Sequence, residues 1–334
     1  MTHISFFHSL RGKLLLLFLA VSLIPLITVG ILTYTQARNA LKDEVINKLI
    51  AVRDIKAHRI ENYFKNGLND VKMLSQNPFT KAAIRAFEEA LHTDMKGLGQ
   101  DEAAVMTQHY RPLYLSKPNL VNANDGSAYS AIHAQYHAMF KAYKEIYGYY
   151  DIFLVEPHAG SIIYSVVKED DFGSSLLNGP YADTSLGLMF RKVQLANRDL
   201  THFEDFADYP PSKEAASFVA SPIFEEAKLI GVLIFQLPTE QIDAIMQERT
   251  GLGETGETIL ISSDDFLLRS NSHFFQETTL FKQKNYTEAT RASATGETGV
   301  KMIIDYRGKP SIIAVSYTHL RAHETPEHLV CRLL

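Results

Sequence analysis

Cysteine is almost missing from this chain of 334 residues: its one thiol, Cys331, stands close to the end. No disulfide framework and no cysteine-based metal or redox centre can therefore form through the rest of the chain. Basic charge is also short, with 33 Lys and Arg against 38 Asp and Glu for a net charge of -5. That excludes a dominant nucleic-acid surface, which needs a basic face. There is no G-x-S-x-G elbow and no P-loop. The paired acids Glu169 with Asp171 and Asp264 with Asp265 can act as general acid or base, but such runs are usually turn residues or solvated faces. No catalytic constellation emerges, and the chain reads as a non-enzyme without a cofactor.

What is present is a long uncharged stretch, residues 14–37, with an almost wholly apolar core. Roughly 20 such residues cross a bilayer core of about 30 Å. Arg11 and Lys13 just before it place the N-terminus, residues 1–13, in the cytoplasm. The apolar run is too long for a cleaved signal peptide, and no small-x-small site follows before Gln36. Pro25 in mid-span is tolerated in lipid. Residues 38–76 follow as a stalk: apolar side chains at Leu41, Val45, Leu49, Val52, Ile55, Ile60, Phe64, Leu68, Val71 and Leu74 fall on helical spacing. At the standard rise its amphipathic part, from Leu41 to about Ser75, is ~50 Å long. It can carry displacement toward the bilayer, or simply hold a domain away from it.

The remainder, with 46% hydrophobic residues in the whole chain, can build two or three compact units. The stretch 148–173 organises it. Two apolar, β-branched and aromatic runs, 149–155 and 161–167, flank a Pro–His–Ala–Gly turn, the pattern of a β-hairpin. Helices are expected at 81–91, 128–147, 184–197 and 239–247, and a loop rich in aromatics and acids at 203–211. Strands are expected at 216–224 and 229–237. A smaller echo follows, with strands at 258–262, 266–270, 300–306 and 311–317. Two hairpins in the same order suggest a duplicated antiparallel α+β unit.

Gly251-Leu252-Gly253-Glu254-Thr255-Gly256 matches G-x-G-x-x-G, but a helix precedes it and a strand follows, the reverse of a dinucleotide site. His133 and His137 are four apart on a helix and can face one metal, yet Ala134 stands where a zincin has Glu and no third ligand is evident. The last residues, 319–334, break character. His323-Glu324-Thr325-Pro326 is a poor match to a sensor-kinase H-box, lacking its two intervening residues. The run SYTHLRAHETPEHLVCRLL resembles translated read-through of a sequencing-library adapter, so residues 319–334 are expected to be non-native.

The runs DGSAYSAIHAQYH (125–137), GYYDIFLVEP, IIYSVVKEDDFGSSLLNGPYADTSLG (162–187), ASFVASPIFEEAKLIGVLIFQLP and GLGETGETILIS together resemble the double-Cache extracytoplasmic sensor domain of bacterial chemotaxis receptors, sensor kinases and membrane cyclases. The resemblance covers about residues 40–318. It implies an α+β architecture: an N-terminal transmembrane helix, a long stalk helix, and two tandem PAS-like antiparallel-sheet modules. The distal, ligand-binding module would be 77–248 and an incomplete proximal one 249–318. A second span, a HAMP linker and an output domain would follow in the family. The resemblance also implies a sensor outside the inner membrane, a homodimer through the stalk, and a small-molecule ligand, with no nucleic acid. Position in the pattern nominates Tyr136, Tyr150, Asp151, Tyr164, Phe203, Asp205, Tyr209 and Ser217 to line its pocket. Asp151 or Asp205 would meet an ammonium group, and the tyrosines would stack or donate hydrogen bonds. The Arg-x-Trp-Tyr element of the amino-acid-binding subgroup is missing, since the chain has no Trp. A chemotaxis-type receptor is expected first, and a sensor kinase or cyclase second. A non-sensing adhesion or scaffold ectodomain is the rival of another class, and it predicts a packed distal sheet.

Overall fold

The structure, a computed structural model, describes residues 10–195, 200–322 and 325–333. It separates into two units, Met1–Val52 and Arg53–Leu334. The first carries the whole apolar segment, in helix α1 (Leu10–Gln76). That helix is long and apolar enough to cross a membrane, and its most apolar window is nowhere buried by protein. Its hydroxyls suit a water-free surround: Ser22 donates to Phe18 O at 2.8 Å and Thr28 to Ile24 O at 2.7 Å. Neither is left without an acceptor where lipid offers none.

In the second unit the remaining turns of α1 are followed by α2 (Pro78–Leu98), α3 (Glu102–Ala104), a π-helical turn (Val105–Tyr110), α4 (Arg111–Tyr114) and α5 (Ala128–Tyr147). Local chemistry sets these ends. Asn77 caps α2 by accepting from Phe79 N at 2.9 Å, Pro78 opens it, and Gly99 closes it at φ 66°. Ser127 caps α5, and Gly148 ends it at φ 73°. The hairpin follows as β1 (Asp151–Val155) and β2 (Ile162–Ser165), then α6 (Ser185–Gln194), β3 (His202–Tyr209), β4 (Glu214–Glu225), β5 (Lys228–Leu237) and α7 (Thr239–Gln247). These strands form one antiparallel sheet in the order β2-β1-β5-β4-β3.

Pairing fixes its two faces, because directly opposed residues point the same way. Ile152, Phe235, Val219 and Phe203 form one row. Phe203 meets Phe64 of α1 edge-on at 4.8 Å, so this face lies against α1. Asp151, Gln236, Phe218 and Glu204 form the adjacent row and face the other way, toward α6, whose Lys192 reaches Glu204 at 2.7 Å. Further ties hold α1 in place. Ser75 Oγ lies 2.8 Å from Ser221 Oγ, Arg53 donates to Val315 O at 3.2 Å, and Lys56 donates to Glu248 O at 2.9 Å at the carbonyl end of α7.

The second sheet contains β6 (Thr258–Ser262), β7 (Gly299–Ile304), β8 (Pro310–Ala322) and β9 (Thr325–Leu333) in the order β6-β9-β8-β7, with α8 (Glu288–Ala294) beside it. The α+β class, the long first helix and the two antiparallel sheets are those expected. Two local expectations change. Residues 203–211 are largely strand, β3, rather than loop. Residues 266–270 make single bridges, Ile261 to Leu268 and Leu267 to Lys284, rather than a strand. The segment expected to be non-native takes part in pairing: its first residues extend β8, and β9 runs between β8 and β6.

The β1–β2 turn depends on Gly160, at φ 69°, where an added Cβ would lie 2.9 Å from Leu177 Cγ and 3.0 Å from Phe190 Cε1. Gly160→Ala combines an unfavourable backbone with a clash in a packed region. It is expected to cost about 2 kcal/mol of unfolding free energy in a urea titration, and a change below a few tenths would contradict this geometry.

Candidate functional site

A buried polar cluster gathers where β1 begins and β2 ends. Asp151 is fully buried. Its Oδ1 accepts three backbone N–H groups, from Ile152 at 2.7 Å, Val166 at 2.9 Å and Val167 at 3.0 Å. The chain then turns at Lys168, a buried residue held at φ 60°. A non-glycine residue in this region is strained, a condition found most often at functional sites. Lys168 Nζ donates to Ser165 O at 2.8 Å and lies 5.1 Å and 5.8 Å from the ring centroids of Tyr164 and Tyr114. The next acids fold back over the sheet. Glu169 accepts from Tyr150 Oη at 2.5 Å, and fully buried Asp171 accepts from Tyr209 Oη at 2.6 Å.

These pairings leave one acceptor on each acid unused. Among the described residues, Asp151 Oδ2, Glu169 Oε2, Asp171 Oδ1 and the neighbouring Gln236 Oε1 are buried without a hydrogen-bond partner. Buried oxygens of this kind are rare in native proteins and costly. Burial, reinforced by the charges of Asp151 and Glu169, pushes the Asp171 carboxyl up to about 7, against the hydrogen bond from Tyr209. Burial also pushes Asp151 up and Lys168 down, each opposed by the other's charge. The cluster thus holds more carboxylate than it can neutralise, and its unused atoms are all acceptors. Its chemistry suits a donor-rich, positively charged group.

The eight nominated residues divide. Tyr150, Asp151 and Tyr209 belong to the cluster directly. Tyr164 borders it from the other sheet face: its hydroxyl donates to His137 Nδ1 at 2.8 Å, while His137 Nε2 donates to Pro118 O at 2.8 Å. Tyr136 packs behind it, its ring edge-on to Phe79 at 5.0 Å. Phe203 lies on the α1 face. Ser217 donates to Glu204 O at 2.8 Å, and Asp205 is held by Arg269 Nε at 3.0 Å. The structure does not bring these last three to Asp151. Lys168, Glu169, Asp171 and Gln236 were not nominated, although the charge cluster at 168–171 closing an apolar hairpin was the available signal.

His133 and His137 stack at 4.5 Å, and His133 Nδ1 donates to Val121 O at 2.7 Å. Burial, then Lys168, pushes both rings well down, to about 2 and about 4, so both are neutral. Among the described residues no group of three or more His, Cys, Asp or Glu is placed to hold a metal. The glycine motif at 251–256 lies between α7 and β6, the element order expected of a turn. A separate cleft of 680 Å³, lined by Glu88, Glu102, Glu156 and Lys228 among others, lies at the opposite end of β1 and does not include Asp151.

The sequence matches no known family model, and no curated protein matches it. Solved structures do. Methyl-accepting chemotaxis protein X is 14% identical with a TM-score of 0.52, covering 88% of this chain and 98% of that one. The ligand-binding domain of the Pseudomonas aeruginosa PAO1 amino acid chemoreceptor PctC, in complex with GABA, is 14% identical with a TM-score of 0.49, covering 86% of this chain and 98% of that one. The periplasmic sensory domain of the Campylobacter jejuni chemoreceptor Tlp1 is 13% identical with a TM-score of 0.44, covering 81% and 95%. At such identity the first of these speaks for the fold alone: the chain shares its α+β fold with a chemotaxis protein, the architecture that the double-Cache resemblance implies.

Proposed function

We propose that this chain is the sensing part of a membrane-anchored receptor of chemotaxis type. Its first helix spans the bilayer, and residues from Arg53 onward lie outside the cytoplasm. The ligand is a small organic molecule with a positively charged nitrogen, bound between Asp151, Glu169, Asp171 and Gln236, with Tyr150 and Tyr209 bordering it. The observation that carries this reading is the set of four buried acceptor oxygens without partners on the sheet face turned away from α1. An adhesion or scaffold ectodomain has no use for such atoms, whereas a ligand ammonium supplies the donors and charge they need. Binding that favours one packing of the hairpin would bias α1 and the span between two states, by no more than the ligand's differential affinity for them. A homodimer through the stalk would carry the change across the membrane.

Calorimetric titration of the full chain in detergent, with primary and quaternary ammonium compounds and their neutral isosteres, tests this. The cationic members alone should bind. Equal binding of the neutral isosteres, or no binding by any cation, would end the proposal. The pH dependence has a definite sign. A bound cation favours ionised carboxylates, and Asp171 without one holds its proton up to about pH 7. Affinity should therefore fall as pH drops below 7, approaching about tenfold per pH unit for each proton displaced. Deprotonation of Lys168 above neutrality acts in the same direction.

A further inference from the structure

The end of β1 opposite Asp151 gathers a second set of carboxylates, from three different elements, around the 680 Å³ cleft. Glu88 comes from α2, Glu102 from α3 and Glu156 from the β1–β2 turn. Glu156 is fixed in place and 5% exposed, one oxygen accepting from Ala159 N at 2.7 Å and the other from His158 N. Glu102 Oε1 is buried with no hydrogen-bond partner among the described residues. The compensating charge is thin. Lys228 of β5 and the imidazoles His158 and His92 line the cleft, but Arg85 of α2 is committed to Glu225 at 2.8 Å. Glu89 of α2 lines the cleft, and Asp101, the cap of α3, acts on Glu102; both add negative charge.

We propose that this junction is a proton-operated clamp, a second input through which external pH sets how α3 and the π-helical turn after it sit on the hairpin. With a proton among them, the three acids pack together; without it, their repulsion drives α3 away. The moving part is suited to this. A π-helical turn is a poor helix that changes register at low cost, and this one leads straight toward the ligand cluster. Tyr110 at its end donates to Asp94 and stacks on Tyr129 at 4.2 Å. Met106 O lies 3.2 Å from where a Cβ on Gly173 would stand, just past Asp171. Burial, then Glu156, pushes the Glu88 carboxyl up to about 7, with Lys228 opposing, and burial pushes Glu102 up as well. A raised carboxyl favours the clamped form at low pH, and that preference is lost as pH rises through 7. Only its being external depends on the membrane orientation proposed above.

The chain has 16 Tyr and no Trp, so near-ultraviolet circular dichroism of the full chain in detergent reports on its tyrosine packing. Between pH 5 and 9 the wild type should show a transition centred near 7. Glu88→Gln should remove the larger part of it, and Glu102→Gln should move its midpoint down by removing a repelling charge. Glu145→Gln, exposed on α5 and outside the cleft, should leave it unchanged. A flat wild-type profile overturns the proposal. So does a transition whose amplitude is unchanged in Glu88→Gln, which would belong wholly to the carboxylates around Asp171. Should Glu88→Gln not fold, an unmoved midpoint in Glu102→Gln overturns it alone.

Discussion

Asp151→Asn should fold but fail to bind, while Asp151→Ala should lose the fold itself. The two oxygens of this carboxylate have separate tasks. Oδ1 takes three backbone N–H groups, two of them from the chain just after β2, and so closes the hairpin at its open end. Oδ2 takes none. Asparagine keeps a carbonyl oxygen for the first task and exchanges the second for an amide that donates. The three hydrogen bonds weaken as the charge goes, but the cost of burying that charge goes with it. The net change should stay within about 1–2 kcal/mol. A ligand cation then meets a donor where it needs an acceptor, and affinity should fall at least about a hundredfold. Alanine removes this acceptor from all three N–H groups at once; Val166 N–H keeps Ile152 O at 3.2 Å, but the losses at Ile152 and Val167, at about 1–3 kcal/mol each, still threaten the domain. Urea unfolding gives the stabilities and calorimetry with the cationic panel gives the affinities. Wild-type binding by Asp151→Asn would remove Asp151 from the site.

Why Asp151 was legible and its neighbours were not is a matter of range. The hairpin declares itself in local pattern: apolar β-branched runs on either side of a Pro and Gly turn, with one acid at the start of a strand where an acid is out of place. The stalk does so through spacings of three and four. Strand β3 does not, because a bulge between Glu204 and Ala207 breaks its alternation. Phe203, Phe206 and Tyr209 all go inside on spacing of three, which reads as no strand at all. Phe266, at φ 60°, likewise ends an apparent strand before it starts. Buried charges are harder still. Nothing in the run Lys168-Glu169-Asp170-Asp171 separates the exposed member from the buried ones, because that depends on a tyrosine 38 positions on, at Tyr209, and on the turn at Lys168. The order of strands was beyond pattern as well, since β5 inserts between β1 and β4.

Asp205 shows the same limit from the other side. It was nominated for a ligand ammonium, and it does meet a cation, but one supplied by the chain: Arg269, 64 positions away. The Arg269 side chain is 5% exposed, with Nε on Asp205 at 3.0 Å, Nη2 on Asp265 at 2.9 Å and its guanidinium 4.7 Å from the centre of the Phe281 ring. Its backbone N–H donates to Leu260 O of β6 at 2.7 Å, so this one residue ties the second sheet to the bulge in β3. Arg269→Ala should therefore cost about 3 kcal/mol, toward the lower end for a broken buried pair because Asp205 keeps 22% of its side-chain surface. The double change Asp205→Asn with Arg269→Leu should recover much of that loss, since the one charge it strands, Asp265, is 42% exposed and solvated. An additive double mutant in urea unfolding would mean that the two side chains touch without depending on each other. The distinction matters for how a signal would travel. A bulge that is pinned can shift only with its partner, so ligand-driven movement of β3 would be felt in the second sheet, whereas an unpinned bulge would absorb it.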